Sequence, residues 1–506
     1  MDTITMTFPE VKINLPLDGI TFDTLEQMVF DITQRIGRKT TEKALGDIDD
    51  ALRVKRPERS LENAGKREKH FLTRLGDIRY VRTRYIDKTS GKSRYLLEEK
   101  LKIAKNQRIS LLRAKIEMLI ATMTTYRSTG EHSELLTGYK RSHESIRQSV
   151  IKEAERILSY QKNVIEKTRR LEDDQEPGAA HDVVYVESDS TFIRLQRNRK
   201  QRARSRMIKL RRRRRRSIEI KMGIGYTDKV RRYARGRGKS LALKDKFTYA
   251  SIGSGKTFME NLSLIAEKKL GLSWAKTVIF GGDGGSYITR GIRDYFVGAI
   301  YVLCKFHLKR NIKRCLPMRP NTQDRINALL AKDDIDKALS TLNALAERTP
   351  DRKDRKSIKD LHSYIAQNRD GINPLERIED KTIRSRVKSA GAMESNVDKF
   401  LAHRFKKRGM SWSVKGALSL LKVKETIANG DWDSWWLGGR NEKIEIRPGP
   451  LKQLTAKSFW RQEKNVLPLI EASIPALQGP DRNEPWAKVL RELQDIDYYK
   501  WAGIAA

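Results

Sequence analysis

The N-terminal third of the chain shows apolar positions at helical spacing, interrupted by one alternating region. From about residue 21 to 52 the apolar residues recur every three or four positions, which predicts a long helix. Residues 70–100 alternate between apolar and polar and carry turn residues at Gly76 and in the string TSGK, which predicts a small β-meander. Helical periodicity returns near Ile109, so residues 1–175 are expected to form a mainly helical region.

Two helical patterns within this region are separated by a turn. The first is expected to end at Gly138, and Ser142 is expected to cap the second. The second helix would bury Ile146 and Val150 and leave Arg147 free to contact DNA bases. This is the outline of a helix-turn-helix, although a generic helical hairpin has the same pattern. The acidic string LEDDQEPGAAHD that follows is typical of a linker.

Residues 182–320 change to strand patterns. VVYVESDSTFIRLQ, SIEIKMGIGY and KFTYASI predict three strands, and residues 257–270 predict a helix. TVIFGGD and AIYVLCKF are continuous apolar runs, which suit strands buried on both faces of a parallel sheet. The string SYITRGIRDYF between them is long enough for a crossover helix. The predicted fold class is therefore α/β, with a mixed sheet covered by helices.

The remaining chain divides into three parts. Residues 321–390 are polar and helical with a stripe of isoleucine and leucine, which predicts a helical insertion. Residues 391–435 are expected to return to the core, with a helix from about Met393 to Gly409. Residues 436–506 form a basic tail to which the sequence assigns no role.

The charge of the chain indicates a polyanionic partner. The 506 residues include 104 Lys and Arg against 64 Asp and Glu, a formal net charge of +40. The charge is clustered, because residues 197–216 contain thirteen Arg or Lys and no acid. Nucleic acid is the first candidate partner and an anionic membrane surface the second. The Arg-rich segment is expected to be a loop that joins the first two core strands and binds phosphates through Arg211, Arg212, Arg213, Arg214, Arg215 and Arg216.

The sequence argues against a membrane-spanning protein and against a secreted one. The longest apolar run, AIYVLC, is far shorter than the roughly 20 residues that span a bilayer. Cys304 and Cys315 are the two cysteines, too few for a disulfide framework, and a reducing cytoplasm is the expected compartment. The N-terminus also lacks the basic start and apolar block of a signal peptide.

The string YASIGSGKTFMENL resembles the end of a Walker A motif, and a nucleoside-triphosphatase is one function to weigh. A Walker A loop needs glycine five positions before its Gly-Lys pair, where this chain has Ala250. The preceding strand also looks too short and polar for a buried central strand. A turn before an amphipathic helix, with Lys256 at the surface, is the preferred interpretation.

Three carboxylates occupy positions that suit a metal site. Asp283 ends a buried strand and is followed by two glycines, where open α/β sheets bind ligands. Asp189 lies in the first core strand and Glu394 opens a later helix. Carboxylates from these elements can converge on two Mg²⁺ or Mn²⁺ ions, which activate phosphodiester chemistry. Among 64 acids, a solvated or capping role is the default for each one.

Four strings carry a resemblance to a known family: VYVESDSTFIRLQ, GGDGGSYI, YVLCKFHLKRNI and GAMESNVDKFLAHRFKKRGMSWS. They resemble insertion-sequence transposases of the Lre-two group, relatives of the Mutator-type DDE transposases, over roughly residues 20–435. The resemblance implies an RNase H-like core interrupted by a helical insertion. It also implies Mg²⁺- or Mn²⁺-dependent DNA cleavage and strand transfer, with two ions held by Asp189, Asp283 and Glu394 as the DDE triad.

One position departs from the family pattern. Related sequences often have aspartate where this chain has Cys304, but Cys304 and His307 fit the Cys-x-x-His spacing of Mutator-type enzymes. Two residues cannot form a structural zinc site by themselves, so the pair is interpreted as core-facing support for the last strand. A metal role for the pair stays open.

The sequence thus predicts a DNA transposase, with a non-catalytic nucleic-acid-binding protein and a nuclease as alternatives. Its expected partner is double-stranded DNA at element ends and target, bound by a homo-oligomer in the cytoplasm at the nucleoid, without a membrane. Besides the Arg-rich segment, the residues expected to bind DNA are Arg147, Lys406, Lys407 and Arg408.

Overall fold

A computed structural model describes residues 19–55, 60–170, 181–196, 217–231, 241–378, 380–407 and 409–438. Residues 171–180 of the predicted linker, the Arg-rich loop with Arg211 to Arg216, and the C-terminal tail from residue 439 onward lie outside the described residues, as does Arg408. The chain divides into two compact units, Met1–Lys152 and Glu153–Ala506. In the part that the structure describes, no helix is long and apolar enough to cross a membrane.

Unit 1 begins with a long helix and a three-stranded antiparallel sheet. The elements are α1 (Phe22–Val54), β1 (Leu61–Thr73), β2 (Gly76–Asp87) and β3 (Ser93–Arg94). Thr21 starts α1 with a capping box. The predicted β-meander is confirmed, but β1 starts at Leu61 and not near residue 70. Most of its first eight residues are exposed, so they show no apolar alternation by which the sequence could have indicated them.

Four helices follow in unit 1: α2 (Leu96–Lys100), α3 (Leu111–Met123), α4 (Tyr126–Thr137) and α5 (His143–Arg170), which contains the unit boundary. The predicted turn between α4 and α5 is present. Gly138 adopts the left-handed conformation with φ 66°, and Ser142 Oγ accepts a hydrogen bond from the Ser145 N–H at 3.2 Å. Ile146 and Val150 are fully buried, as predicted.

A buried arginine holds this helical hairpin in place. The Arg113 guanidinium, 1 % exposed, donates to the carbonyls of Thr73 and Tyr139 and pairs with Glu117 at 2.9 Å. It also donates to the hydroxyls of Ser133 and Thr137 on α4. A buried cation is tolerated only when its donors are satisfied, and these contacts satisfy Arg113 while joining the β1 end to the turn.

Unit 2 is built on a five-stranded mixed sheet. Its strands are β4 (Val183–Arg194), β5 (Ser217–Tyr226), β8 (Phe247–Ser251), β9 (Thr277–Gly282) and β10 (Ile300–Leu303), in the order β10-β9-β4-β5-β8. The β5 strand runs antiparallel to β4 and β8, whereas β9 runs parallel to β4 and β10. A small hairpin, β6 (Asp228–Arg231) and β7 (Leu241–Lys244), was not predicted.

Two helices cover one face of this sheet. They are α6 (Gly255–Leu270) and the crossover helix α7 (Ser286–Tyr295), both predicted from sequence. Their apolar residues share a core with the sheet that includes Val184, Val186, Phe258, Leu262 and Ile288. The hydrophobic effect of burying this shared face holds the layers together.

The segment with the Walker-like string is a helix cap. Ser254 caps α6 by accepting from the Thr257 N–H at 3.1 Å, and Lys256 is exposed, as predicted. The preceding strand β8 is buried, which corrects the sequence-based argument that it was too polar. However, β8 is an edge strand antiparallel to β5, so the strand-loop-helix geometry of a P-loop is not formed there.

The rest of unit 2 is helical. The helices are α8 (Lys305–Cys315), α9 (Pro320–Ala331), α10 (Ile335–Arg348), α11 (Arg352–Gln367), α12 (Lys381–Arg386), α13 (Met393–Val397), α14 (Val414–Ala428) and α15 (Trp432–Leu437). The α13 helix continues as a π-helix over Asp398–Lys406 and the chain turns at Gly409 with φ 65°. Helices α9 to α11 bury or partly bury the predicted stripe of isoleucine and leucine in a core that also includes residues of α8 and Leu303 of β10.

Candidate functional site

Asp189 and Asp283 lie side by side in the middle of the sheet. In the parallel pairing of β4 with β9, Ser188 is opposite Gly282, and the residue that follows each of them is one of the two acids. Asp189 is 8 % exposed, and Asp283 comes directly after the last residue of β9. Parallel strands thus bring two carboxylates together that are 94 positions apart in sequence.

A histidine completes a compact group. The N–H of Cys304 donates to the Gly282 carbonyl at 2.7 Å, and α8 starts at the next residue, which brings His307 beside the acids. Asp189, Asp283 and His307 each offer one ligand atom, and these atoms lie within 4.8 Å of one another. His307 Nδ1 is buried and has no hydrogen-bond partner.

The place of His307 differs from the sequence-based expectation. It was expected, with Cys304, to support the last strand from the core. Both residues are instead intermediate in exposure, and the imidazole belongs to the acidic group. The Cys-x-x-His spacing was the available signal, because a helix beginning at once after the strand places the third residue over the strand end.

The electrostatics of the group reflect its crowding. Burial raises the pKa of Asp189 from 3.8 to about 6, and the charges of Asp283 and Glu394 act in the same direction. Hydrogen bonding with the Cys304 side chain raises the pKa of His307, and burial opposes this effect. The negative charges of Asp189 and Asp283 raise the pKa further. Protons or a cation are therefore favoured at this position, and carboxylate oxygens suit a hard divalent cation.

Glu394 lies nearby but outside the compact group. It is exposed in the first turn of α13, a helix that packs against β4. Its negative charge is among the influences that raise the pKa of Asp189. The structure therefore brings Asp189 and Asp283 together and leaves Glu394 at the rim.

The helix that carries Glu394 is held by a residue that sequence reasoning missed. Glu187, 2 % exposed, accepts hydrogen bonds from the N–H groups of Gly391, Ala392 and Met393 at 3.0–3.1 Å. It also accepts from the Tyr226 hydroxyl at 2.6 Å. A carboxylate at the first N–H groups of a helix stabilises the helix start. The position two residues before Asp189, which puts both side chains on one face of β4, was the signal available in the sequence.

The helical insertion fixes the loop that carries Asp283. The Tyr364 hydroxyl on α11 donates to the Asp283 carbonyl at 2.8 Å, and the Asp283 carboxylate accepts from the Gly285 N–H at 2.8 Å. Gly284 has φ 82°, and a Cβ there would lie 2.5 Å from the Asn368 side chain. Glycine is required at this position for both reasons.

The residues expected to bind DNA have varied environments. Lys406 donates to the Thr191 hydroxyl at 2.8 Å, two residues after Asp189 on β4. Lys407 pairs with Asp398 at 3.2 Å. Arg147, which the sequence predicted to be free, forms two 2.8 Å hydrogen bonds with Glu144 on the same helix.

Comparisons with known proteins found a matching family model and several relatives. The model of the family described as "Uncharacterised protein family (UPF0236)" matches residues 15–437. A UPF0236 protein of Caldanaerobacter subterraneus subsp. tengcongensis is 22% identical over 452 residues, covering 89% of this chain and 85% of the relative. A UPF0236 protein of Streptococcus gallolyticus, named for its place in the vanSb 3′ region, is 23% identical over 79% of this chain and 81% of its own length.

The names of the Caldanaerobacter relatives indicate repeated genes. The first combines eleven gene designations, and a second, 21% identical over 88% of this chain and 84% of the relative, combines four. The family therefore occurs in several copies in one genome.

Proposed function

The chain belongs to the UPF0236 family, and from this membership and the geometry of its acidic site we propose that it is the transposase of an insertion sequence. The observation that carries the proposal is the convergence of Asp189 and Asp283 where β9 ends beside β4, close enough together to ligate one cation. The several genomic copies of the relatives support it, because mobile elements multiply in this way.

The sheet supports an RNase H-like assignment for the core. Three strands, β4, β5 and β8, are antiparallel neighbours, and the parallel strands β9 and β10 lie on the other side of β4. Helices α9 to α12 stand between β10 and the helix with Glu394, as expected for a helical insertion before a third acid. The resemblance to Mutator-type DDE transposases rests on these elements and on the sequence motifs.

The residues present fit a divalent metal site. Asp189 and Asp283 supply closely spaced carboxylate oxygens, and Glu394 adds a third carboxylate at the rim. These residues would hold Mg²⁺ or Mn²⁺, which would polarise the phosphodiester and lower the pKa of an attacking hydroxyl. The His307 imidazole, whose pKa is raised, lies beside the acids, where it would be able to donate a proton.

The test is a plasmid that carries the reading frame with its natural flanking DNA, assayed for excision and joining with Mg²⁺. We expect Asp189→Asn, Asp283→Asn and Glu394→Gln each to abolish cleavage and strand transfer, because an amide keeps the shape but not the charge of a metal ligand. DNA binding should persist or tighten, since a negative charge beside the phosphates is removed. Asp294→Asn, a change outside the motifs, is the control.

Each outcome has a defined meaning. Normal strand transfer by any of the three variants would overturn the assignment of that residue. Cleavage without joining by the unchanged chain would identify a nuclease. DNA binding without either reaction would identify a non-catalytic nucleic-acid-binding protein.

A further inference from the structure

Helix α8 presents an unusual face next to the acidic group. Its sequence, KFHLKRNIKRC, contains five cations and no acid. Leu308, Ile312 and Cys315 are buried against the insertion core. The five cations are all exposed, and among the described residues none of them forms an ion pair. The exposed cationic residues are Lys305, Lys309, Arg310, Lys313 and Arg314.

The spacing of these residues puts like charges beside one another. Lys305, Lys309 and Lys313 form one row at i, i+4 and i+8, and Arg310 and Arg314 belong to the adjacent row. Like charges at i, i+4 destabilise a helix, and a cation in the first turn opposes the helix dipole. Lys313 and Arg314, in the last turn, interact favourably with the helix dipole, but the other three cations do not. The face therefore carries a cost that a polyanionic ligand would offset.

An exposed aromatic residue begins the second row. Phe306 is 49% exposed, and its ring contacts the ring of His307 edge-on with 5.4 Å between centroids. It heads the row that continues with Arg310 and Arg314, about 12 Å along the helix at 1.5 Å per residue. A basic track with an exposed ring is the arrangement by which proteins bind unpaired nucleic-acid strands, through phosphates and base stacking.

We propose that the exposed face of α8 binds an unpaired DNA strand where that strand enters the acidic site. Lys309, Arg310, Lys313 and Arg314 contact its phosphates, and Phe306 stacks on one of its bases. This inference rests on the proposed function and adds to it a strand-binding surface. His307 links the two, because it lies on the same helix and reaches the carboxylates.

The experiment uses the full chain in EDTA, so that binding is measured without cleavage. The probes are a fluorescent 20-nucleotide oligo(dT) and a mixed-sequence duplex of 20 base pairs, titrated over a range of salt concentrations. One variant changes Lys309, Arg310, Lys313 and Arg314 to Gln. The matched control removes the same charge from exposed residues of α11 by changing Arg352, Lys353, Lys356 and Lys359 to Gln.

We expect the α8 variant to lose about 0.7 in log–log salt slope on oligo(dT) for each lost phosphate contact, well beyond any change in the α11 control. Circular dichroism would verify that both variants fold. Equal changes in the two variants would overturn the inference, because they would reflect total charge alone. Failure of the unchanged chain to bind either probe would instead overturn the proposed function.

The stacking role of Phe306 has its own variants. Phe306→Leu should weaken oligo(dT) binding by at least about fivefold, keep the salt slope and leave duplex binding unchanged. Phe306→Trp should restore the affinity, since every base has a face on which an indole can stack. Equal weakening on both probes, or none on oligo(dT), would show that Phe306 does not stack on bases.

Discussion

Asp189 is buried in the sheet, and burial disfavours the ionised form of its carboxyl group. Its pKa rises from 3.8 to about 6, first through burial and then through Asp283 and Glu394. Because the pKa is higher in the folded chain than in the unfolded chain, the folded state binds the proton more tightly. The stability of the fold should therefore fall as the pH rises from about 4 to about 6, by up to about 3 kcal/mol for this group.

We predict that Asp189→Asn stabilises the chain at pH 7.5 in EDTA, where the ionised carboxyl is unfavourable. The thermal unfolding midpoint should rise by several degrees over the unchanged chain, and the difference should shrink as the pH falls toward 4, where the carboxyl is protonated in the folded state. Adding Mg²⁺ should raise the midpoint of the unchanged chain more than that of the variant. A lower midpoint of the variant at pH 7.5 would contradict the unfavourable role given to this carboxylate.

At the scale of elements, the helix with Glu394 depends on Glu187. Glu187→Gln keeps one acceptor oxygen but turns an NH₂ group toward backbone N–H groups. We predict a loss of about 1–3 kcal/mol in the free energy of unfolding, measured in urea. Strand transfer should fall about tenfold or more while DNA affinity is kept, because Glu394 is displaced and the DNA contacts are not. Glu155→Gln, on an exposed acid that pairs with Lys415, is the control.

Helix α5 holds its candidate base-reading residue in an ion pair. Arg147 lowers the pKa of Glu144 to about 2, mainly by hydrogen bonding to it. We predict that Arg147→Ala reduces discrimination between element ends by about 1–3 kcal/mol for one base pair, measured by competition binding. Glu144→Ala should strengthen DNA binding, since it releases Arg147 and removes a negative charge. Unchanged footprints in Arg147→Ala would assign a purely structural role to the helix.

At the scale of the whole molecule, a charge of +40 predicts strong, salt-dependent binding to any DNA. We predict that changing Arg211 to Arg216 to Ser weakens binding to all DNA sequences alike. The log–log salt slope on duplex DNA should flatten by about 0.9 for each lost phosphate contact. Loss of preference for one sequence, with general affinity kept, would contradict the prediction.

The sequence by itself determined the elements whose signals are local. Gly138 and Ser142 mark the turn in unit 1 because a left-handed residue and a helix cap act on their immediate neighbours. Strands β4, β5, β8, β9 and β10 were predicted because burial of a strand leaves an apolar pattern in its own residues. The exposed start of β1 left no such pattern and was missed.

Only the tertiary structure decided which residues meet. Glu187 contacts the N–H groups of residues 391–393, about 200 positions away, and no property of either segment indicates the other. His307 joins Asp189 and Asp283 because parallel pairing aligns β9 with both β4 and β10. Hydrogen bonds and charges act over a few ångströms of space, whatever the separation along the chain. The strand order that creates those distances is therefore what turned separate polar positions into one site.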